Sequence, residues 1–375
     1  TTIVFTNTRS GTEAVVFKLK ERGLEDIEAH HGSLAKETRL DVEDRLKRGV
    51  LKCVVSSTSL ELGIDIGSVD LVVQIGSPKS VAKGLQRIGR AGHATGLTSK
   101  GRMLVFEKDD LVECAVLSRA AHKKRIDRVS ISENALDVLS QSLVGMSLEK
   151  RWDVKDALKV VRSSYCYRNL DEKSFLEVLR YLGSKDAFEG VYPKLWYDEG
   201  EGRFGKRGGS RMIYFLNLGT IPEEANYKVF TDKGGLLGDL SEKFVERLSV
   251  RDVFVLGGRS YEYVRTKGMK VFVREAAGRK PTVPSWSGEM LPRSFDLSMD
   301  VAIFRREMRE RLERGDEEDA ILSWLATFGI DQGSSRSILS YFKEQHASAG
   351  FIPTDRELAV EGYIDMSGNY NMVFH

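Results

Sequence analysis

Cysteine is scarce: Cys53, Cys114 and Cys166 are the only three in 375 residues. They are far apart and odd in number, with no Cys-x-x-Cys pair, which argues against a disulfide framework and a cysteine zinc site and fits a reducing cytoplasm. Proline is limited to 7 residues, so a collagen-like or proline-rich chain is excluded. No apolar run approaches the roughly 20 residues that cross a bilayer, so no membrane partner is expected. An excess of one charge sign is also missing, with 57 Lys+Arg against 55 Asp+Glu. The opening Thr1-Thr2-Ile3-Val4-Phe5 has neither an initiator Met nor a basic-then-apolar signal, and reads as the interior of a longer protein with sequence missing upstream. What remains, 41% hydrophobic and 30% charged, describes a globular chain of about two to four domains.

Local charge is less even than the total. Arg119, Lys123, Lys124, Arg125 and Arg128 face a single Asp127, and Arg203, Lys206, Arg207 and Arg211 lie among three glycines with no acid. Either stretch could be a solvated face or loop; the flexible, unopposed second one also suits phosphate contact, with Arg207 at its centre.

Residues 1–110 alternate strands (Ile3–Phe5, Leu51–Val55, Leu71–Ile75, Arg102–Phe106) with helical spacing (Gly11–Arg22, Lys36–Lys47), which predicts an α/β domain around a parallel sheet. Residues 110–182 turn helical, with helices expected at 110–124, 133–145, 153–163 and 171–182 and Ser132 available to cap the second. Short Val/Phe/Tyr-rich runs follow: Met212–Leu218, Tyr227–Thr231, Asp252–Leu256, Tyr261–Thr266 and Met269–Arg274, the last two joined by a Lys267-Gly268 hairpin. They predict a small antiparallel sheet or barrel. Helices are expected at Asp300–Arg314, Asp319–Phe328 and Ser335–Gln345, then strands at Val360–Tyr363 and Asn371–Phe374, with a stop in mid-pattern at His375.

Three segments of the first domain carry chemistry. Thr8, Arg9 and Ser10 follow a strand and precede a helix, so they present hydroxyls and a guanidinium at the carboxyl edge of a sheet, where open α/β sheets bind ligands; helix capping is the plainer alternative. The run Ser56-Ser57-Thr58-Ser59, with Gly63 and Asp65 behind it, exceeds what capping needs, and a carboxylate such as Asp65 can accept hydrogen bonds from ribose hydroxyls. In Gln86-Arg87-Ile88-Gly89-Arg90-Ala91-Gly92-His93, two arginines three apart on a helix could both aim at a transferred phosphoryl group, with a structural ion pair as the alternative.

In this order the segments resemble the second RecA-like domain of superfamily-two helicases. Phe5–Ser10 looks like motif IV, His31-Gly32 with Arg39 like the element after it, Ser57–Asp65 like motif V and Gln86–His93 like motif VI. The wording His30-His31-Gly32-Ser33-Leu34, Ser59–Gly67 and Val73–Val81 is similar to the large helicase-related (Lhr) family. So are Asn217-x-Gly219-Thr220-Ile221-Pro222, Phe254–Gly258 and Pro281–Glu289, which extend the resemblance over essentially the whole chain.

The resemblance implies four parts: a second RecA-like domain at 1–110, a winged helix at 111–190, a β-barrel-like domain at 191–295 and a truncated helical segment at 296–375. It implies an ATP-dependent DNA helicase or translocase, acting on single-stranded DNA or RNA and on duplexes with a single-stranded tail, RNA:DNA hybrids among them. Arg90 becomes the catalytic finger and Arg87 its support; with Gly63 and Asp65 they would contact ATP. Thr8, Arg9, Ser10, His31, Gly32, Ser57 and Thr58 would contact the nucleic-acid strand. His93 stands where many of these helicases carry Arg. No Gly-x-x-x-x-Gly-Lys-[Ser/Thr] loop or Asp-Glu-x-His box occurs, so the ligands of Mg²⁺ and the phosphate cradle for ATP are expected in a missing first lobe, and none in this chain. The chain alone is therefore expected to be inactive. Gly200-Glu201-Gly202-Arg203-Phe204-Gly205 matches Gly-x-Gly-x-x-Gly only in letter, lacking the flanking strand and helix. A free-standing nucleic-acid-binding module and a DEAD-box-like RNA helicase are the alternatives.

Lys155, Lys159 and Arg162 offer a basic helical stripe or a solvated face. Trp286, in a Pro/Ser/Gly loop with few apolar neighbours in sequence, reads as a presented ring for base stacking, or else as a plug for the barrel; Trp152, Trp196 and Trp324 read as core.

Overall fold

In the first strands, neighbouring residues are buried on opposite faces. A computed structural model describes residues 1–62, 66–92, 98–183, 192–219, 226–286 and 291–374. In it β1 (Thr2–Phe5), α1 (Arg9–Glu21), β2 (Ile27–His30), α2 (Lys36–Lys47), β3 (Cys53–Ser56), β4 (Leu71–Ile75), α3 (Val81–Ile88), β5 (Gly101–Leu104) and α4 (Lys108–His122) form a parallel sheet in the order β2-β3-β1-β4-β5 with its helices. Ile3, Phe5, Val54 and Val72 pack with Val42 and Leu46 of α2, whereas Val4, Val55, Ile27 and Ala29 pack with Val16 of α1. Burial on both faces is what makes such strands read as continuous apolar runs. The polar β2, Ile-Glu-Ala-His, was not expected from the sequence; its Glu28 is taken up by Lys20 and Arg45.

The chain divides into two compact units, one of residues 1–128 with 225–375, the other of residues 129–224. The second contains α5 (Leu136–Glu149), β6 (Trp152–Asp153), α6 (Val154–Arg162), α7 (Glu172–Gly183), β7 (Leu195–Asp198), β8 (Arg203–Lys206) and α8 (Ser210–Leu216). Three helices and an antiparallel sheet in the order β6-β8-β7 make a winged helix around Leu139, Leu143, Leu158, Phe175, Leu179 and Phe204. Several expectations are corrected here. Arg203–Lys206 is the central strand of this sheet rather than a flexible loop, so the boundary expected at 190 falls inside the winged helix. Met212–Leu218 is not a strand: the left-handed Gly209 and the Ser210 hydroxyl, which accepts from the Arg207 amide, start the helix α8 there. A short apolar run cannot by itself distinguish the two. Ser132 caps nothing, since α5 begins at Leu136 without a side-chain cap.

The first unit continues with β9 (Asn226–Thr231), β10 (Leu236–Ser241), α9 (Glu242–Val245), β11 (Val253–Leu256), β12 (Arg259–Lys267), β13 (Lys270–Glu275), α10 (Phe295–Arg314), α11 (Glu318–Ala326), α12 (Gln332–Ala349), β14 (Val360–Ile364) and β15 (Tyr370–Phe374). The second five-stranded sheet runs β10-β9-β13-β12-β11, antiparallel except for the β13–β9 pair, and the expected hairpin turns at Gly268-Met269. Its Val229, Leu240, Phe254, Leu256, Val271 and Val273 share one core with Val16, Leu34 and Val55 of the parallel sheet's layer.

The terminal helices bury Phe304, Met308, Leu325 and Phe342 against Val112 and Val116 of α4. The basic stretch 119–128 is answered by α10 and by Phe328 just beyond α11. Arg128 pairs with Asp296 at 2.6 Å, Arg125 pairs with Asp300, and Arg119 lies 3.8 Å above the Phe328 ring.

Candidate nucleic-acid and nucleotide interface

β2, β3 and β1 are neighbours, so the segments leaving their carboxyl ends, His31-Gly32, Ser57-Thr58 and Thr6–Ser10, lie side by side along one sheet edge. Thr8 realises the capping alternative, accepting from the Gly11 amide at 2.9 Å as N-cap of α1. Arg9 donates to the Ser33 hydroxyl at 2.7 Å and lies 6.0 Å over the Trp286 ring, and Ser10 is half-buried in the first turn. In the hydroxyl run, Ser59 faces inward, donating to the His30 carbonyl at 3.0 Å and meeting His30 Nδ1 at 2.7 Å, while Ser57 is buried and Thr58 exposed. His30 Nε2 lies 2.9 Å from Glu43. Burial holds the His30 imidazole below its ordinary pKa, against the upward pull of that carboxylate.

Arg87 and Arg90 separate. α3 ends at Ile88, so Arg87 sits in its last turn and Arg90 in the turn beyond it, not on one helix face. The Arg87 side chain is fully buried beneath the edge. Its Nε donates to Glu61 at 2.9 Å, and Nη1 donates to Asn7 at 3.0 Å and Gln74 at 2.8 Å, with Phe5 below the guanidinium. Thus the ion-pair alternative is what the fold builds for Arg87. Asn7 continues the network to the Ser77 carbonyl at 2.6 Å, and Lys79 joins that loop to Asp110 and Glu113 of α4 at 2.7 and 3.2 Å. Arg90 is half-buried, and its Nε has no hydrogen-bond partner among the described residues. Gly63, Asp65 and His93 lie outside the described residues. Among the described residues no cluster of His, Cys, Asp or Glu is arranged to hold a metal ion, and no helix is long and apolar enough to cross a membrane.

His31 is fully buried, its Nε2 2.8 Å from Glu13 Oε1. The same carboxylate accepts from the amides of Gly257 at 2.6 Å and Gly258 at 2.8 Å. Since a carboxylate only accepts, Nε2 carries a proton, and Nδ1 is buried with no partner among the described residues. Gly32 beside it is exposed, with nothing within 4 Å of where a Cβ would stand.

Trp286 is not presented. Its ring is 7% exposed, joins the core shared by the two sheets, lies 5.5 Å from His31, and donates to the Asp239 carbonyl at 3.2 Å. A loop's composition does not reveal the sheet that it lies on. Trp152 and Trp324 join core clusters as expected, and Trp196 is half-buried. Glu13, Asn7, Glu61 and Gln74 were not singled out from the sequence. The one signal was Glu13's helical spacing with the buried Val16, where an acid is ordinarily solvated.

In the winged helix, Arg207 is exposed on the turn after β8. Lys155 and Lys159 are exposed on α6, but Arg162 donates twice to the Leu170 carbonyl, at 2.8 and 2.7 Å. The third helix, α7, balances Lys173 and Arg180 with Glu172 and Glu177, and Arg180 pairs with Glu199.

Two family models match: helicase conserved C-terminal domain over residues 1–95, and the winged helix domain of large helicase-related protein over residues 119–283. ATP-dependent helicase Lhr-Core protein 2 of Thermococcus barophilus is 51% identical over 97% of this chain and 43% of its own length. ATP-dependent helicase Lhr-Core of Methanothermobacter thermautotrophicus is 48% identical over 100% of this chain and 44% of its own. Among solved structures, helicase Lhr of Mycobacterium smegmatis bound to ssDNA and AMP-PNP has a TM-score of 0.71 and 29% identity, covering 100% of this chain and 45% of that one. The chain spans less than half the length of these relatives. It belongs to the Lhr, or large helicase-related, family of superfamily-two helicases, and corresponds to that family's second RecA-like domain and winged-helix region.

Proposed function

We propose that this chain acts as the second motor lobe and accessory region of an ATP-dependent helicase that moves along single-stranded nucleic acid. The observation that carries the reading is the row of Thr8–Ser10, His31-Gly32 and Ser57-Thr58 along the carboxyl edge of three adjacent parallel strands, the edge at which open α/β sheets bind ligands. The names of the relatives, ATP-dependent helicases, and the ssDNA and AMP-PNP of the Mycobacterium smegmatis structure support it. Thr58, Arg9 and the open space at Gly32 would meet the strand backbone, with Arg207 of the winged helix as a further cation.

Arg90, whose Nε is left without a partner among the described residues, fits a group that meets the phosphates of ATP; Gly63 and Asp65 would lie at its ribose. Bound ATP with Mg²⁺ supplies the phosphoryl transfer that drives movement, its cradle and metal ligands belonging to a first lobe. Arg90 would stabilise charge as it develops on the phosphoryl oxygens, and Arg87 would hold the segment that carries Arg90. Titrating fluorescein-labelled oligo(dT) and measuring ATPase tests the reading. The chain should bind the strand weakly and turn over little ATP alone, and gain turnover when a phosphate-loop lobe is supplied. Failure to bind any single strand refutes it, as does nucleic-acid-stimulated turnover by the chain alone at about 1–10² per second.

A further inference from the structure

The loop that follows β2 is held from the second sheet at two places. On one side it pairs with β10: the Asp239 amide donates to the Ser33 carbonyl at 2.8 Å, and the Ala35 amide donates to the Leu237 carbonyl at 3.0 Å. The approach at Gly238 is so close that a Cβ there would stand 2.2 Å from the Ser33 oxygen. On the other side the hold passes through one side chain. Glu13 reaches out of α1 and takes both amides of the β11–β12 turn, Gly257 and Gly258, and the ring of His31. That turn has φ of +63° and +68° at its two glycines, a left-handed pair that aims consecutive N–H groups at one acceptor.

A buried carboxylate with three donors has little freedom to move, and each donor it gives up leaves a buried polar group unsatisfied. We propose that Glu13 is a positioning residue through which the Gly257-Gly258 turn sets the His31-Gly32-Ser33 loop at the place where a single strand is gripped. The proposal rests on the function given above. It makes the second sheet part of the strand grip: a shift of the β11–β12 turn moves His31, and a strand seated on the loop restrains the turn, because coupling between two sites is reciprocal.

The test uses the whole chain and a fluorescein-labelled oligo(dT) of about 20 nucleotides, longer than the ~4–16 that one binding groove occupies. Glu13→Gln keeps the size of the side chain but offers one acceptor oxygen where three donors converge. Gly257→Ala strains the left-handed turn, while its Cβ meets Leu34 only at an ordinary 3.6 Å. Each change should weaken oligo(dT) binding on the order of tenfold, the usual range of site-to-site coupling. The double variant should be no weaker than either single one, since both break the same joint.

Selective ¹⁵N labelling of histidine should show the fixed Nε2–H tautomer of His31 lost in Glu13→Gln. A merely structural glutamate would lower the melting temperature yet leave the affinity of the folded protein and the His31 tautomer as they were, and that result overturns the proposal. So does a double variant in which the two losses multiply. Should Glu13→Gln fail to fold, the wild-type chain still decides: saturating oligo(dT) must slow amide exchange at Gly257 and Gly258, and unchanged exchange overturns the coupling. A wild-type chain that binds no oligo(dT) overturns the functional reading and this proposal together, whereas normal binding by both variants overturns this proposal alone.

Discussion

Replacing Arg87 by alanine should damage the fold of the first unit rather than the chemistry. The guanidinium is fully buried and makes three hydrogen bonds, to Glu61, Asn7 and Gln74. Alanine would strand the Glu61 carboxylate, leave the Gln74 carbonyl oxygen without its Arg87 donor, and leave the Asn7 oxygen only the Gln74 amide at 3.5 Å. Removing one partner of a buried ion pair costs about 3–5 kcal/mol. For a unit of this size the melting temperature falls by a little less than ~2–4 °C per kcal/mol, so the expected drop is roughly 5–18 °C. Arg87→Lys should recover little, because an ammonium cannot reproduce the planar fork that reaches two sides at once.

Arg90→Ala is the contrast. Its melting temperature should stay near that of the wild type. With a phosphate-loop lobe supplied, turnover should fall about 10³-fold or more while ATP affinity changes much less. Differential scanning fluorimetry on both variants and ATPase on the completed motor give the two readouts. An Arg87→Ala chain that melts like the wild type and loses only turnover would refute the buried-hub assignment.

Trp286→Ala should lower stability by about 3–5 kcal/mol, as for other buried aromatics cut to alanine, and a melting curve identical to wild type would mean that the indole is not core. Burial lowers the His30 pKa, so the imidazole binds its proton more readily in the unfolded chain. Stability should therefore be at its full value above pH ~6.5 and decline as pH falls from there toward the lowered native pKa, and urea titrations at several pH values should show that slope flattened in His30→Gln. Burial pushes the Cys53 thiol up to about 11 and the Cys114 thiol up to about 12, so both should resist Ellman's reagent at pH 8 until the chain unfolds, and fast native labelling of either would contradict these raised values.

The parallel sheet was legible because its strands are buried on both faces and its helices keep their apolar spacing; α2 runs over the residues that the pattern marked, Lys36–Lys47. β2 and β8 escaped for the same reason as each other: polar and basic residues occupy strands whose partners are distant in sequence, as with Glu28 opposite Val54 and Arg203 opposite Asp153. The motif segments were found by their wording, but the division of labour inside them was not. Nothing local distinguishes Arg87 from Arg90; the difference is made by Glu61, Asn7 and Gln74, brought in from three other segments. Glu13 was passed over and Trp286 misjudged, the one an acid that belongs inside and the other an aromatic that a loop sequence made look exposed. In both cases the deciding neighbours lie on the second sheet, more than 200 residues away for Glu13 and 47 for Trp286.

The core shared by the two sheets also bears on synthesis. Val16, fully buried, is covered by the Gly258 turn, where even an added Cβ would come within 2.4 Å of it. A ribosome adding ~5–20 residues per second needs roughly 10–50 s to pass from one to the other. Throughout that interval the nascent amino-terminal strands and α1 have an uncovered apolar face, while the intervening winged helix can already close on its own core. The first 110 residues produced alone would keep that face open permanently, which makes the excised lobe a candidate for aggregation and for chaperone capture rather than a minimal working motor.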